Sequence, residues 1–467
     1  MKGLTRRELL RAALAAGAGA AGLAACERSS TGPAAALPEW TPGAPLPWRN
    51  WSGAVRCLPK ARLVPGDEAE VAALLRAGGA LRPAGAGHSF SALVPCDESL
   101  VFLDRLQGVI GQDAAAKTAE VWAGTRLWQL GPALAALGQA LPNQPDIDYQ
   151  TLGGALATST HGTGAGLGSL SSYVTGLALV TPAGEVLECD AQRNAEVFHA
   201  ARTSLGALGV VTRVRLSNRE AFRLVERSRF VPLESVLADL ARERDAHPHF
   251  EFYAFPHADV ALAIATDPDD GSGAPPASAG EDDPEAILLL RTLFRWTRPL
   301  PGGSWLYDTF LGMQPATARA GQSHEVLAHP RTVRFNEMEY TMPAEAGPEC
   351  LRAVLAEIRA RDLPVCFPIE CRFVRADDVW LSMFSGRPGF SISIHQFADE
   401  DYRPYFAAIE PIFWRYEGRP HWGKLHSLDA ARLAGLYPHW SDFQRVRRSL
   451  DPSGRLLNAH LAQTLGV

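Results

Sequence analysis

LRPAGAGHSFSAL, residues 81–93, ends a short apolar run in a glycine-rich turn and sets a histidine directly behind it. Gly85 and Gly87 lack a Cβ, so they tolerate positive φ and let backbone N–H groups approach a phosphate closely. A phosphate cradle does not need an imidazole, so His88 asks for a second explanation; alone, it reads equally as a half-exposed polar residue after a turn. Upstream, Val71, Leu74 and Leu75 follow helical spacing, Gly78 and Gly79 stop the helix, and Leu81 opens a strand. The glycines therefore stand at the carboxyl end of a strand in an α/β unit, where such sheets bind ligands. They follow the second strand and no helix starts on them, which separates the pattern from a Rossmann fingerprint.

Downstream, a second helix is expected around Leu127–Leu137. It leads into a stretch dense in Gly, Ser and Thr from Thr151 to Ser172, and then into a hairpin, VTGLALVT and VLEC joined by PAGE. The small-residue stretch carries no acidic or basic side chain other than His161. Two such loops, one ending in Gly87-His88 and one holding Thr160-His161-Gly162, suit a diphosphate and a planar ring lying against backbone. A pair of tight turns without a ligand is the competing reading.

At 467 residues, 46% hydrophobic and 21% charged, the chain is long enough for large cores and two domains. The first 26 residues stand apart. Thr5, Arg6, Arg7 and Leu10 give a twin-arginine pattern, and the run Ala12–Ala25 is too short and too weakly apolar to span a bilayer. Leu23-Ala24-Ala25-Cys26 resembles a lipobox, so export to the periplasm and membrane contact through lipid at Cys26 are expected. Residues 27–50, rich in Pro, Gly, Ser and Ala, read as a tether. Without residues 1–25, which carry Lys2, Arg6, Arg7, Arg11 and Glu8, the net charge is −9. That argues against a nucleic-acid partner, which needs clustered cations. Cys57, Cys96, Cys189, Cys350, Cys366 and Cys371 show no zinc-ligand or CxxC spacing, so no metal is expected and no role is assigned to them.

After Asn218 the pattern changes to strands and helices with long loops, and Asp267–Glu285 reads as a flexible acidic surface insertion. CFPIECRFVRADD, residues 366–378, alternates: Phe367, Ile369, Cys371 and Phe373 face one way, Glu370 and Arg372 the other. On alternation alone, that pair reads first as a solvent-facing ion pair. SISIHQF, residues 391–397, turns His395 away from Ile392 and Ile394 in the same manner.

RPAGAGHSFSAL, TLGGALATSTHGTG, SLGALGVVTRV, RFNEMEY, PIECRFV and RPHWGK stand in the order found in the aldonolactone and alditol oxidases, a branch of the vanillyl-alcohol-oxidase-like flavoproteins, which the chain resembles from about Leu58 to Leu461. The resemblance implies an α+β fold. It would have a two-subdomain PCMH-type FAD-binding domain over 51–219, an α+β cap with a large antiparallel sheet over 220–417, and a carboxyl-terminal segment, 418–467, returning to the FAD domain. It implies FAD bonded through its 8α-methyl carbon to His88, with Gly85, Ala86, Gly87, Ser89, Gly153, Gly154, Thr158, Thr160, His161, Gly162 and Ser169 cradling it and Val211 and His421 touching it. Glu370, Arg372, Lys424 and His395 become the catalytic candidates. The implied reaction takes hydride from an aldonolactone or alditol-like polyol and passes the electrons to O2, giving H2O2. A same-fold dehydrogenase serving a periplasmic cytochrome or quinone, or an oxidase of another secondary alcohol, remains open. The protein is expected to be a monomer. One departure bears on substrate: Ala155 stands where some alditol-oxidising relatives carry a serine.

Overall fold

The computed structural model describes residues 46–271, 273–277, 284–329 and 331–467. Ala61–Leu63, Ser99–Phe102 and Leu81–Ala84 form a parallel sheet with Ser99–Phe102 in the centre. The helix Glu68–Arg76 precedes Leu81–Ala84; the Asp67 carboxylate accepts the Glu70 N–H at 2.7 Å and caps its first turn. Its apolar stripe buries Val71 and Leu75 against Leu81, Val101, Val180 and Val210, which joins this sheet to the next one. That second sheet is antiparallel, in the order Val186–Asp190, Val174–Val180, Val210–Ser217, Thr118–Trp122, Val109–Asp113. The expected hairpin is its Val174–Val180 and Val186–Asp190 pair.

The small-residue stretch differs from the expected continuous loop. Leu152–Ala157 is a short helix whose cap Thr151 accepts the Gly154 N–H at 3.3 Å. Leu152, Ala155 and Leu156 are buried beneath it, and burial of those three apolar positions offsets the poor helix propensity of the two glycines. The tether also ends earlier than residue 50. Trp48 and Asn50 are buried, Trp48–Arg49 pairs with Arg56–Cys57, and Asn50 Nδ2 donates to the Ser89 carbonyl at 3.0 Å. The apolar ring of Trp48 is drawn into the fold, and its neighbours follow.

The third sheet has eight antiparallel strands in the order Thr317–Gln322, Arg223–Pro232, Val260–Pro268, His249–Ala254, Ile369–Val374, Gly389–Phe397, Phe335–Pro343, Arg419–Pro420. Asp267 and Pro268, read as the start of a flexible insertion, belong to this sheet, paired with Val225 and Leu224; residues 272 and 278–283 lie outside the described residues. Opposite residues in antiparallel strands share a face. One face carries Phe252, Cys371, Ile392, Ile394, Met338, Tyr340 and Met342, buried in one core with Val354 of the helix Gly347–Ala360 and Ile409 and Phe413 of the helix Arg403–Arg415. The other face is polar. Past Arg419–Pro420 the chain reaches the first sheet again, where Asn458 Nδ2 donates to the carbonyls of Ala92, Leu93 and Pro95. The six cysteines among the described residues are free thiols.

Candidate active site

The polar face is built by register. Glu251 lies opposite Arg372, Tyr253 opposite Glu370, Glu370 opposite Ser393, and Glu337 opposite His395. Both sides of this part of the sheet are covered, so Glu370 and Arg372 are only 7% and 9% exposed, and the pair is not the solvent-facing one that alternation allows. Arg372 Nε donates to Glu251 Oε2 at 2.8 Å, and its Nη2 donates to Glu370, which also accepts the Tyr253 hydroxyl. Asp146, 3.9 Å from the guanidinium, is bonded to His329 at 2.6 Å and paired with Arg331. Burial raises Glu251 to about 7; Arg372 opposes that rise and the carboxylate of Glu370 adds to it.

Across the sheet, Lys424 donates to Glu337, and Glu337 Oε1 lies 3.6 Å from His395 Nε2. Burial favours the neutral acid, yet Lys424 and His395 outweigh it and hold Glu337 at about 2. His395 Nδ1 faces the Pro368 carbonyl at 3.1 Å, so that nitrogen carries a proton and Nε2 faces the carboxylate. Beside this group, Glu339 Oε1 lies 2.7 Å from His161 Nε2, and His161 Nδ1 lies 2.8 Å from the Gly162 carbonyl. A carbonyl only accepts, so Nδ1 donates to it and Nε2 faces the Glu339 carboxylate. His421 completes a compact buried trio with these two. Its Nδ1 accepts the Gly423 N–H at 3.0 Å, and burial lowers its pKa to about 3. The ring proton therefore sits on Nε2, which suits a hydrogen-bond donor and not a metal ligand.

A cleft runs between the first two sheets. Its walls are Arg82–Ser89, Ala123 and Gly124, Gln150 and Thr151, Gly153 and Gly154, Ala157 and Thr158, Ser204–Gly206 and Gly209–Val211. His88 and Ser89 mark the end nearest the polar face: the Phe90 N–H donates to the Gly423 carbonyl at 2.6 Å, and the Lys424 ammonium lies 5.0 Å from the Phe90 ring centre. His88 stacks between Trp51 and Tyr149, with ring centres 5.6 and 6.2 Å away. Burial, then Lys424 and Arg126, lower its pKa to about 4, so the imidazole is neutral at neutral pH.

Residues 214–464, just over half of the chain, match the family model described as D-arabinono-1,4-lactone oxidase, and residues 59–190 match that of an FAD-binding domain. The chain belongs to the D-arabinono-1,4-lactone oxidase family. Its relatives include an L-gulono-1,4-lactone dehydrogenase of Mycobacterium tuberculosis, 38% identical over 90% of this chain and 99% of the relative. An L-gulonolactone oxidase of Bos taurus is 30% identical over 89% and 97%. An alditol oxidase of a Streptomyces species is 29% identical over 89% and 98%. Among solved structures, a solvent-stable cholesterol oxidase superposes with a TM-score of 0.75 at 19% identity, covering 91% of this chain and 98% of that one, which shows the shared PCMH-type FAD-binding fold. This D-arabinono-1,4-lactone oxidase family member is thus an FAD-linked oxidoreductase acting on CH–OH groups.

The cleft fits FAD on three counts. A Cβ on Gly85 would overlap Thr151 Oγ1, and one on Gly124 would overlap the Leu103 carbonyl, so neither wall has room for a side chain at these positions. Gln150 Oε1, buried in the wall, has no hydrogen-bond partner. Arg82, 2% exposed, donates to the carbonyls of Leu93, Leu205, Gly206 and Leu456 at 2.6–2.9 Å, and among the described residues it has no carboxylate partner. An uncompensated buried cation beside a glycine-lined cleft matches an anionic diphosphate. We predict that Arg82→Met lowers stability by about 3–5 kcal/mol, because four carbonyls lose their donor at once. Thermal unfolding with and without added FAD checks this; an unchanged Tm would refute it.

Gly85, Ala86, Gly87, His88, Ser89, Gly153, Gly154, Thr158 and Val211 all line the cleft. Thr160, His161, Gly162, Ser169 and His421 do not. Thr160 Oγ1 is 3.3 Å from Thr158 Oγ1, Ser169 Oγ donates to Asp377 at 2.8 Å, and His161 and His421 belong to the Glu339 trio. Glu370, Arg372, His395 and Lys424 share the polar face. Sequence reasoning missed Arg82, Gln150 and the Ser204–Gly209 wall, and also Glu251, Tyr253, Glu337 and Glu339. The last two had a readable signal: RFNEMEY alternates, placing two glutamates on the side opposite Met338 and Tyr340.

Proposed function

We propose that this chain removes hydride from a carbinol carbon of a sugar-derived alcohol, an aldonolactone or alditol-like polyol, and that O2 takes the electrons and leaves as H2O2. The observation that carries the reading is the polar sheet face, on which Arg372 and Glu370 are paired and beside which Lys424 reaches the His88 end of the cleft. FAD supplies the hydride acceptor. Arg372 and Lys424 stabilise the charge that develops on the substrate oxygen, and Glu370, held by Tyr253 and Arg372, orients the hydroxyl or accepts its proton. The Mycobacterium tuberculosis relative, a dehydrogenase by name, favours a second reading in which a cytochrome or quinone replaces O2. Anaerobic mixing with L-gulono-1,4-lactone and with xylitol, followed by air, tests both. Bleaching at 450 nm that air reverses with H2O2 release supports the oxidase; bleaching that only an added acceptor reverses supports the dehydrogenase, and no bleaching by either compound rejects the substrate class.

Covalent attachment of FAD through His88 is part of the proposal. The attachment needs an imidazole lone pair, and a histidine whose pKa is about 4 keeps one free. Acid-denatured protein should retain yellow colour and show a fluorescent band on a denaturing gel, and His88→Ala should release all flavin. Flavin that washes out of active wild-type protein in acid would reject the bond. Export by the twin-arginine route and lipid attachment at Cys26 also belong to the proposal; residues 1–45 lie outside the described residues. Cys26→Ser should let a carbonate wash release the exported protein from the membrane, and wild-type protein that the same wash releases would refute the anchor.

A further inference from the structure

Two helices, Pro284–Thr297 and Gly303–Gly312, pack against each other beside the strands Arg223–Pro232 and Val260–Pro268 of the cap. Their inner sides bury Leu290, Phe294, Tyr307 and Leu311 in one cluster with Phe255 and Phe397. A residue two positions along a helix is turned by about 200°, so it points away from its buried neighbour. Those outward positions should be polar in an ordinary surface helix. Instead Leu288, Trp296, Trp305 and Met313 stand there, 44%, 47%, 67% and 77% exposed, with Leu300 at 51% and Leu306 at 44% beside them. The described residues leave fifteen large apolar side chains exposed, and six of them fall in this one hairpin. Apolar side chains scattered singly over a surface need no explanation, but a cluster marks a contact site.

We propose that the outer face of this hairpin docks into the interfacial layer of a lipid bilayer. The inference rests on the lipid-anchor reading of Cys26 and extends it. Two tryptophans and three leucines on one hairpin are the chemistry that settles at headgroup depth, the rings and chains entering the acyl boundary while a guanidinium such as that of Arg295, 58% exposed and paired with Glu400, stays wet. A run of ring contacts leads from the segment where the chain enters the fold to the hairpin. Trp51, five residues from the first described residue, lies 5.1 Å from Phe335; Phe335 lies 5.3 Å from Phe367, Phe367 lies 5.0 Å from Phe397, and the Arg291 guanidinium of the hairpin lies 4.3 Å over Phe397. Cys26 and Leu46 are twenty residues apart, a span of at most about 70 Å, so a lipid at Cys26 keeps this face within reach of the membrane. Among the described residues no helix is long and apolar enough to cross a membrane, so the contact is interfacial.

The test uses the full-length, FAD-loaded Cys26→Ser protein, which carries no lipid, and 100 nm vesicles of phosphatidylcholine and phosphatidylglycerol. It should co-sediment with the vesicles, and its tryptophan emission should shift to the blue. Trp305→Ser, Leu306→Ser and Met313→Ser combined should weaken vesicle binding more than about tenfold, from the loss of three buried apolar side chains, with flavin content and the rate of flavin reduction unchanged. Trp305→Ser alone, at a side chain two-thirds exposed, should lose part of the binding and all of that residue's blue shift. Absence of vesicle binding, or binding that the triple variant retains, overturns the proposal. So does light scattering that finds a dimer which the triple variant splits, since a second copy would then cover the face. Radiolabelled palmitate at Cys26 of exported wild-type protein reads the anchor separately. Patch-dependent binding without label would sink the anchor alone, and label with patch-independent binding would sink the docking face alone.

Discussion

Arg372→Ala lowers the rate of flavin reduction by substrate by about 10²–10³-fold, the loss seen when one preorganised donor to a developing oxyanion is removed. The guanidinium is suited to that role because its orientation is set before substrate arrives: Glu251 holds Nε at 2.8 Å, Glu370 holds Nη2, and burial excludes water from the group. The same burial makes the variant costly for the fold, since Glu251 and Glu370 lose at once the cation and the hydrogen bonds that balance them, a loss of about 3–5 kcal/mol. Arg372→Met combined with Glu251→Gln separates the two effects. Replacing the unpartnered acid by an amide should restore much of the stability, with FAD content near that of wild type, while flavin reduction stays slow. Recovery of the rate together with stability would show that Arg372 only supports the fold. Glu251→Gln alone should erase any inflection near pH 7 from the rate profile. A carboxyl raised to about 7 adds stability below its unfolded pKa of about 4.5 and loses it as pH rises through 7, so this variant should also gain stability relative to wild type on the alkaline side.

Glu337→Gln should slow flavin reduction by about 10²-fold, within the range for loss of a positioned acid–base group, with little change in flavin content. Its carboxylate is the common partner of Lys424 and His395. Deleting the charge leaves the lysine without its anchor above the Phe90 ring and frees the histidine to turn. Lys424→Ala should cost a similar factor, and the double variant little more than either single one, because all three remove the same arrangement. Additive losses in the double variant would mean that Glu337 acts apart from Lys424. The stability signature has a defined sign. Glu337 is held down at about 2, so its contribution is present above the unfolded value of about 4.5 and fades as pH falls through 2. The Tm difference between wild type and Glu337→Gln should therefore be full at pH 6 and shrink below pH 4.

The sequence by itself determined the strand that ends in Gly85–His88, the helix Glu68–Arg76, the Val174–Asp190 hairpin and the shared face of Glu370 and Arg372. Each of these follows from periodicity within one segment, a property the backbone imposes locally. The ordered motifs carried the family and its cofactor, because a constellation of residue types survives where no single turn is specific. Neighbour relations between segments were not legible. Period-two alternation tells which side chains share a face of one strand, but not which strand lies alongside; only the tertiary structure set Glu251 beside Arg372 and Glu337 beside His395. Arg82 looked like an ordinary strand residue in LRPAGAGH, since its four carbonyl partners come from segments 11 to 374 residues away. The depth of the tether was misjudged for the same reason: Pro, Gly and Ser around Trp48 describe a flexible chain, while burial of its ring depends on a surface formed by distant residues. Local order follows from the spacing of side chains along the backbone, whereas the site consists of charges whose partners, burial and protonation exist only once separate segments have closed around them.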